Sequence, residues 1–102
     1  MTTKITVIYD NPQDPDAFEA GYRDQYALAT KIPGVQKVES AKVWPKEDGS
    51  PTPAYRLFDM YFAGYDEASK AVTSPQAGAF VGKVLELATG GVRIVFADVE
   101  AS

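Results

Sequence analysis

The chain contains neither cysteine nor histidine. The first absence excludes disulfides, thiolate nucleophiles and sulfur-ligated metals. The second removes the commonest metal ligand, the usual base of a catalytic triad and the side chain that titrates unperturbed near neutral pH. General acid–base chemistry is left to Asp, Glu, Lys or Tyr with a displaced pKa. With no His or Cys ligand and no dinucleotide loop, no cofactor is expected: no haem, no flavin, no transition metal. Only hard, oxygen-ligated cations remain open. Positive charge is also short. Ten Lys and Arg stand against 14 Asp and Glu, for a net charge of −4, and they are scattered, so a nucleic-acid partner is not expected. Long apolar runs are missing too. MTTKITVIYD is too short for a signal peptide and nothing approaches a membrane span, so the expected location is the cytoplasm, away from membranes.

What is present suits one domain over residues 1–102, with 45% hydrophobic and 24% charged residues. Lys4–Tyr9 is short and β-branched and reads as a strand, ended by Asp10-Asn11-Pro12. Asp14-Pro15-Asp16 opens a helix running to about Lys31, with Asp14 as N-cap. Phe18, Tyr22, Gln25, Ala29 and Ile32 share one of its faces. Pro33-Gly34 stops it. A strand over Val35–Trp44 follows, then a Pro- and Gly-bearing loop over residues 45–53 and a strand from Tyr55 to about Ala63. In this last strand Phe58, Met60 and Phe62 face one way, while Tyr55, Leu57, Asp59 and Tyr61 face the other. Helices over Asp66–Val72 and Pro75–Ala88 come next, the second with Phe80, Val84 and Leu87 in one stripe. Gly90-Gly91 reads as a helix terminus and Val92–Val99 as the last strand.

The order β-α-β-β-α-β, with the second helix broken in two, is the α+β ferredoxin-like split βαβ pattern: a four-stranded antiparallel sheet covered by helices on one face. Apolar bulk falls on both faces of the strands. A second copy packed sheet against sheet would cover the open face, so a homodimer is expected.

Four blocks in order, "ATKIPGV" preceded by Phe18 and Tyr22, "LFDMYF", "SPQAGAF" and "LATGGV", resemble the EthD family of dimeric α+β barrel proteins over Lys4 to Val99. The resemblance implies a dimeric α+β barrel that binds small molecules beside oxidative degradation or biosynthetic enzymes. The family usually carries a histidine in the first helix, two residues before a "PLA" that here reads Ala27-Leu28-Ala29. This chain has Gln25 there, so a histidine-dependent role does not carry over. Asp59 matches the family's usual glutamate, one methylene shorter.

The candidate binding residues are Tyr22, Gln25, Tyr26, Trp44, Asp59 and Tyr61. In one reading Gln25 and Asp59 form the polar floor of a helix–sheet pocket whose aromatic walls are Tyr22, Tyr26, Tyr61 and Trp44. In the plainer reading Gln25 hydrogen-bonds a backbone carbonyl, the tyrosines only pack, and Asp59 sits in a dimer interface paired with Arg56 or a lysine. Two functions compete. One is a binding protein for a small aromatic or polyketide-like compound, accessory to an oxidative pathway. The other is a cofactor-free monooxygenase, isomerase or cyclase using Tyr or Asp59 for proton transfer. Whether the chain is an enzyme is left open, and no catalytic residue is assigned.

Overall fold

The computed structural model describes residues 1–101. In chain order the elements are β1 (Thr3–Tyr9), α1 (Pro15–Ala29), β2 (Lys37–Lys42), β3 (Arg56–Phe62), α2 (Tyr65–Ala71), α3 (Pro75–Leu87) and β4 (Val92–Asp98). All strand pairs are antiparallel and the spatial order is β2-β3-β1-β4, the ferredoxin-like arrangement.

Local chemistry sets the boundaries. The Asp14 side chain accepts from the Ala17 amide at 3.2 Å, and Ser74 does the same for Ala77 at 3.1 Å; each satisfies a helix N-terminal donor ahead of a proline. The first helix ends at Ala29, two residues before the expected Lys31, because Thr30 to Gly34 form a turn. Gly34 takes φ +86°, which the turn into β2 requires. β2 is also shorter than the expected Val35–Trp44. Its ladder with β3 runs only from Lys37 to Lys42, although the Val43 amide still donates to the Tyr55 carbonyl.

Cross-strand register fixes the faces. Val7 pairs with Phe58 and Ile94, and Ile5 pairs with Met60 and Phe96, so these side chains lie on the helix-covered side. They pack with Phe18, Tyr22, Ala29 and Ile32 from the first helix and with Phe80, Val84 and Leu87 from α3. The second face carries Lys4, Thr6, Ile8, Leu57, Asp59, Tyr61 and Val95 and is not covered. Its apolar members Ile8 and Leu57 are half-buried, and Val95 is exposed.

Gly91 takes φ +111° in the turn from α3 to β4. At Gly90 an added Cβ would stand 1.9 Å from the Asn11 carbonyl oxygen. The glycine pair therefore does more than end a helix: it lets the β4 turn lie directly against the connection leaving β1, where the Asp10 amide donates to the Gly91 carbonyl at 3.0 Å.

Candidate functional site

Gln25 is fully buried, on the α1 face that meets the sheet. The Tyr9 hydroxyl, at the end of β1, donates to its Oε1 at 2.8 Å. Its Nε2 finds no partner among the described residues. Aromatic rings surround the pair. Tyr9 meets Phe18 edge-on at 4.9 Å and Tyr22 at 6.2 Å, while Phe58 meets Tyr22 at 6.3 Å and Phe80 at 6.0 Å. Burial pushes the Tyr9 phenol well above its ordinary value, and the neighbouring Tyr22 adds to the shift. The pair is therefore neutral and fully buried, with the two N–H bonds of Nε2 left to give. The hydroxyl that fixes the amide was not among the expected site residues. The signal for it was available: Ile5, Val7 and Tyr9 alternate onto one face.

A second polar group closes the β2 end of the core. Arg56 forks onto Glu19, Nε to Oε2 at 3.0 Å and Nη2 to Oε1 at 2.5 Å, and the Tyr55 hydroxyl donates to the same carboxylate at 2.9 Å. The Arg56 guanidinium lies 4.4 Å above the centre of the Tyr22 ring, and the Tyr22 hydroxyl shares a 2.8 Å hydrogen bond with Ser40. The hydrogen bond from Arg56 is the main reason the Glu19 carboxyl titrates below its ordinary range. Burial, then the Glu19 hydrogen bond, lifts Tyr55 to about 12. Arg56 and Glu19 neutralise each other, so the group reads as a clamp between α1 and β3.

Asp59 requires a correction. It lies on the open face, opposite Gln25, where it accepts from Thr6 and stands 3.7 Å from Lys4. The two residues expected to floor one pocket are separated by the sheet. Arg56 is not its partner, since Arg56 and Asp59 are an odd number of residues apart on one strand and point to opposite faces. The expected aromatic walls disperse as well, and of them only Tyr61 is lost to the far side of the sheet. Tyr22 lies in the core beside Tyr9. Tyr26 packs edge-on to Phe58 at 5.8 Å and is partly exposed. Tyr61 donates to Glu39 at 2.5 Å on the open face, a bond that lifts its phenol to about 12. Trp44, past the end of β2, is 88% exposed.

One cleft enters the core from the β4 edge. It holds about 50 Å³ and is lined solely by apolar side chains, with Val72, Val81, Ile94 and Phe96 at its mouth and Val7 and Phe80 deeper. Val7 and Phe80 form its inner wall, and neither Tyr9 nor Gln25 lines it. A larger groove between α1 and α3, about 250 Å³, has a mixed lining, and its Lys83 is paired with Glu86 at 3.2 Å and Asp24 at 3.9 Å. No cluster of three or more acidic residues able to hold a metal ion occurs among the described residues, and none of the helices there is long and apolar enough to cross a membrane.

Comparison with known proteins first defines a class. The fold is that of an EthD family protein from Bacillus halodurans, with a TM-score of 0.88 and 20% identity over 97% of this chain and 99% of the other. The EthD resemblance of the four sequence blocks is thus matched in three dimensions. The same ferredoxin-like fold occurs in a dimeric protein of unknown function from Jannaschia, with a TM-score of 0.69, 14% identity and coverage of 97% and 100%. It also occurs in SnoaB, a cofactor-independent oxygenase from Streptomyces nogalater, with a TM-score of 0.67, 13% identity and coverage of 99% and 94%. No family model matches the chain. A curated relative narrows the class: over 98 residues, 95% of this chain and 94% of the other, it is 35% identical to the uncharacterized 11.0 kDa protein in the thcB-thcC intergenic region of Rhodococcus erythropolis. The chain belongs to that protein's family.

Proposed function

We propose that the protein acts in the cytoplasm as a homodimer that binds a neutral, largely apolar small molecule between helices and sheet, in an accessory rather than a catalytic role. The observation that carries this reading is the unpartnered Nε2 of Gln25, fully buried and held in place by the Tyr9 hydroxyl. A buried amide left without partners is disfavoured by roughly 1–3 kcal/mol, so a ligand carbonyl or hydroxyl oxygen arriving there gains what the empty site lacks. The apolar cleft beside Val7 offers walls for the ligand's body, and the ligand reaches the amide only when the packing at Val7 and Phe80 opens. At about 50 Å³ it is much smaller than the 300–1,000 Å³ of typical ligand sites, so α3 must yield as the molecule enters. The likeness to a dimeric protein of the same fold supports the homodimer.

Catalysis by a tyrosinate base is disfavoured. The fold shifts Tyr9, Tyr22, Tyr55 and Tyr61 upward, so each keeps its proton near neutral pH. Asp59, the other proposed proton carrier, faces away from the cleft.

The test is nuclear magnetic resonance of isotope-labelled protein titrated with acetophenone, 1,4-naphthoquinone and phenol. Saturable shifts of the Gln25 side-chain amide and the Val7 methyls are expected for at least one carbonyl compound. If none of the three moves the Gln25 amide at millimolar concentration, the binding role is refuted.

A further inference from the structure

We propose that Gly78 and Gly82 form a soft turn in the middle of α3, at which the helix opens, carries Phe80 away from Val7 and uncovers the Gln25 amide for a ligand. This rests on the binding role proposed above and deepens it by naming the part of the fold that moves.

Neither glycine has a steric reason to be one. Nothing lies within 4 Å of the Cβ that a side chain would place at either position, and neither takes a positive φ. Both face solvent. The contrast with other glycines of the chain is direct: a Cβ at Gly21 would stand 2.7 Å from Leu87 Cδ2, and one at Gly90 would strike the Asn11 carbonyl. Inside a helix each glycine favours the opened chain about 4- to 5-fold relative to alanine, so the pair favours it roughly 20-fold.

Their position says what the opening does. Gly78 and Gly82 lie about one turn apart and bracket Phe80, which is buried on the opposite side of the helix. Ala77, Phe80 and Val81, from the same stretch, line the cleft. The facing wall is held: Val7 belongs to β1, which is paired with β3 on one side and β4 on the other. The first helix is held too, by the fork between Glu19 and Arg56. No side-chain ion pair ties α3 to the sheet among the described residues; Lys83 pairs with Glu86 of its own helix and Asp24 of α1. Yet both ends of α3 are fixed. Ser74 caps its start, and past its end Gly90 packs against the Asn11 backbone. A helix held at its ends and weakened in its middle yields in the middle.

Hydrogen exchange read by nuclear magnetic resonance tests the opening without a ligand; titration with acetophenone, 1,4-naphthoquinone and phenol tests its use. The variants are Gly78→Ala, Gly82→Ala and the two together, with the solvent-facing Ala79→Gly as the opposite change. In the unaltered protein the backbone amides of residues 80–84 should exchange through openings at least about tenfold more frequent than global unfolding, as measured in urea. Each alanine should slow exchange at those amides and at the Gln25 Nε2 hydrogens roughly fivefold, and the pair roughly 20-fold; Ala79→Gly should speed both. The cleft is too small for a ligand while α3 is closed, so the double alanine variant should also bind a carbonyl compound roughly 20-fold more weakly, though it melts higher. Amides of α3 as well protected as those of β1 overturn the soft turn, as does a Gln25 amide whose exchange ignores all four variants. Unchanged or tighter ligand binding by the double alanine variant overturns its part in admission. The expected exchange, with no binding of any of the three compounds, overturns the binding role above and leaves the opening standing.

Discussion

Removing the Tyr9–Gln25 hydrogen bond from each side tests whether the buried amide has an unmet donor. Tyr9→Phe deletes the hydroxyl and leaves both polar ends of the Gln25 amide unpaired in a fully buried site, which should destabilise the fold by about 1–3 kcal/mol. Gln25→Leu removes the unpartnered Nε2, a gain, but strands the Tyr9 hydroxyl, which is also fully buried, a loss of similar size. Its net change should fall within about 1 kcal/mol of zero. The double variant deletes every polar atom of the pair at nearly constant volume. It should be at least as stable as the original and about 1–3 kcal/mol more stable than Tyr9→Phe, a coupling visible only in the full cycle. For a domain of this size, 1 kcal/mol moves the melting midpoint by about 4 °C or more. Urea unfolding at one fixed protein concentration is the assay, because any dimer adds a mass-action contribution. A double variant less stable than both singles would refute the reasoning. It would mean that Nε2 is already satisfied, for instance by a trapped water whose hydrogen bonds hold the core together.

Glu19 sets an acid limit. Its pKa in the folded protein lies below the ordinary 4.5, chiefly through the Arg56 hydrogen bond, so its contribution is fully present above 4.5 and lost as pH falls through the lower, folded value. The stability advantage over Glu19→Gln should therefore shrink in thermal melts taken from about pH 5 down to about pH 3; an advantage that grows toward acid would contradict it. Gly90→Ala should destabilise by about 3 kcal/mol, because a Cβ 1.9 Å from the Asn11 carbonyl meets backbone that cannot step aside, and a melt indistinguishable from the original would show that the turn has slack. Val95→Glu puts a charge on the open sheet face and should give a folded monomer by circular dichroism and light scattering; an intact dimer would move the interface elsewhere.

Much of the architecture is legible residue by residue. Asp14-Pro15 and Ser74-Pro75 announce helix starts because a short acceptor side chain and a pre-set φ solve the two problems of a helix N-terminus. Pro33-Gly34 and the alternation of Phe58, Met60 and Phe62 are equally direct. The stripe from Phe18 to Ile32, Gln25 included, is buried as its spacing requires. The site was less legible, for a specific reason. Strand alternation divides residues into two sets but does not say which set meets the helices, and Asp59 belonged to the outer one. Arg56 and Glu19 are 37 residues apart, and nothing local in the chain announces that a guanidinium and a carboxylate will fork together there. Trp44 carries no mark that separates a pocket wall from an exposed ring, because both ask only for an aromatic side chain.

The register of β1 has a consequence for how the molecule comes into being. β1 lies inside the sheet, yet its neighbours are made long after it: Thr3 waits for Phe62 on one side and for Asp98 on the other. On a ribosome, β1 therefore keeps one side unpaired until β4 has emerged. A chain interrupted before β4 would present the Ile5–Val7 backbone as a free edge, open to pairing with another nascent chain. Closing that gap is a contact between distant parts of the chain, so folding should be slow compared with a helical bundle of equal length. The arrival of β4 is, in effect, the step that completes the sheet.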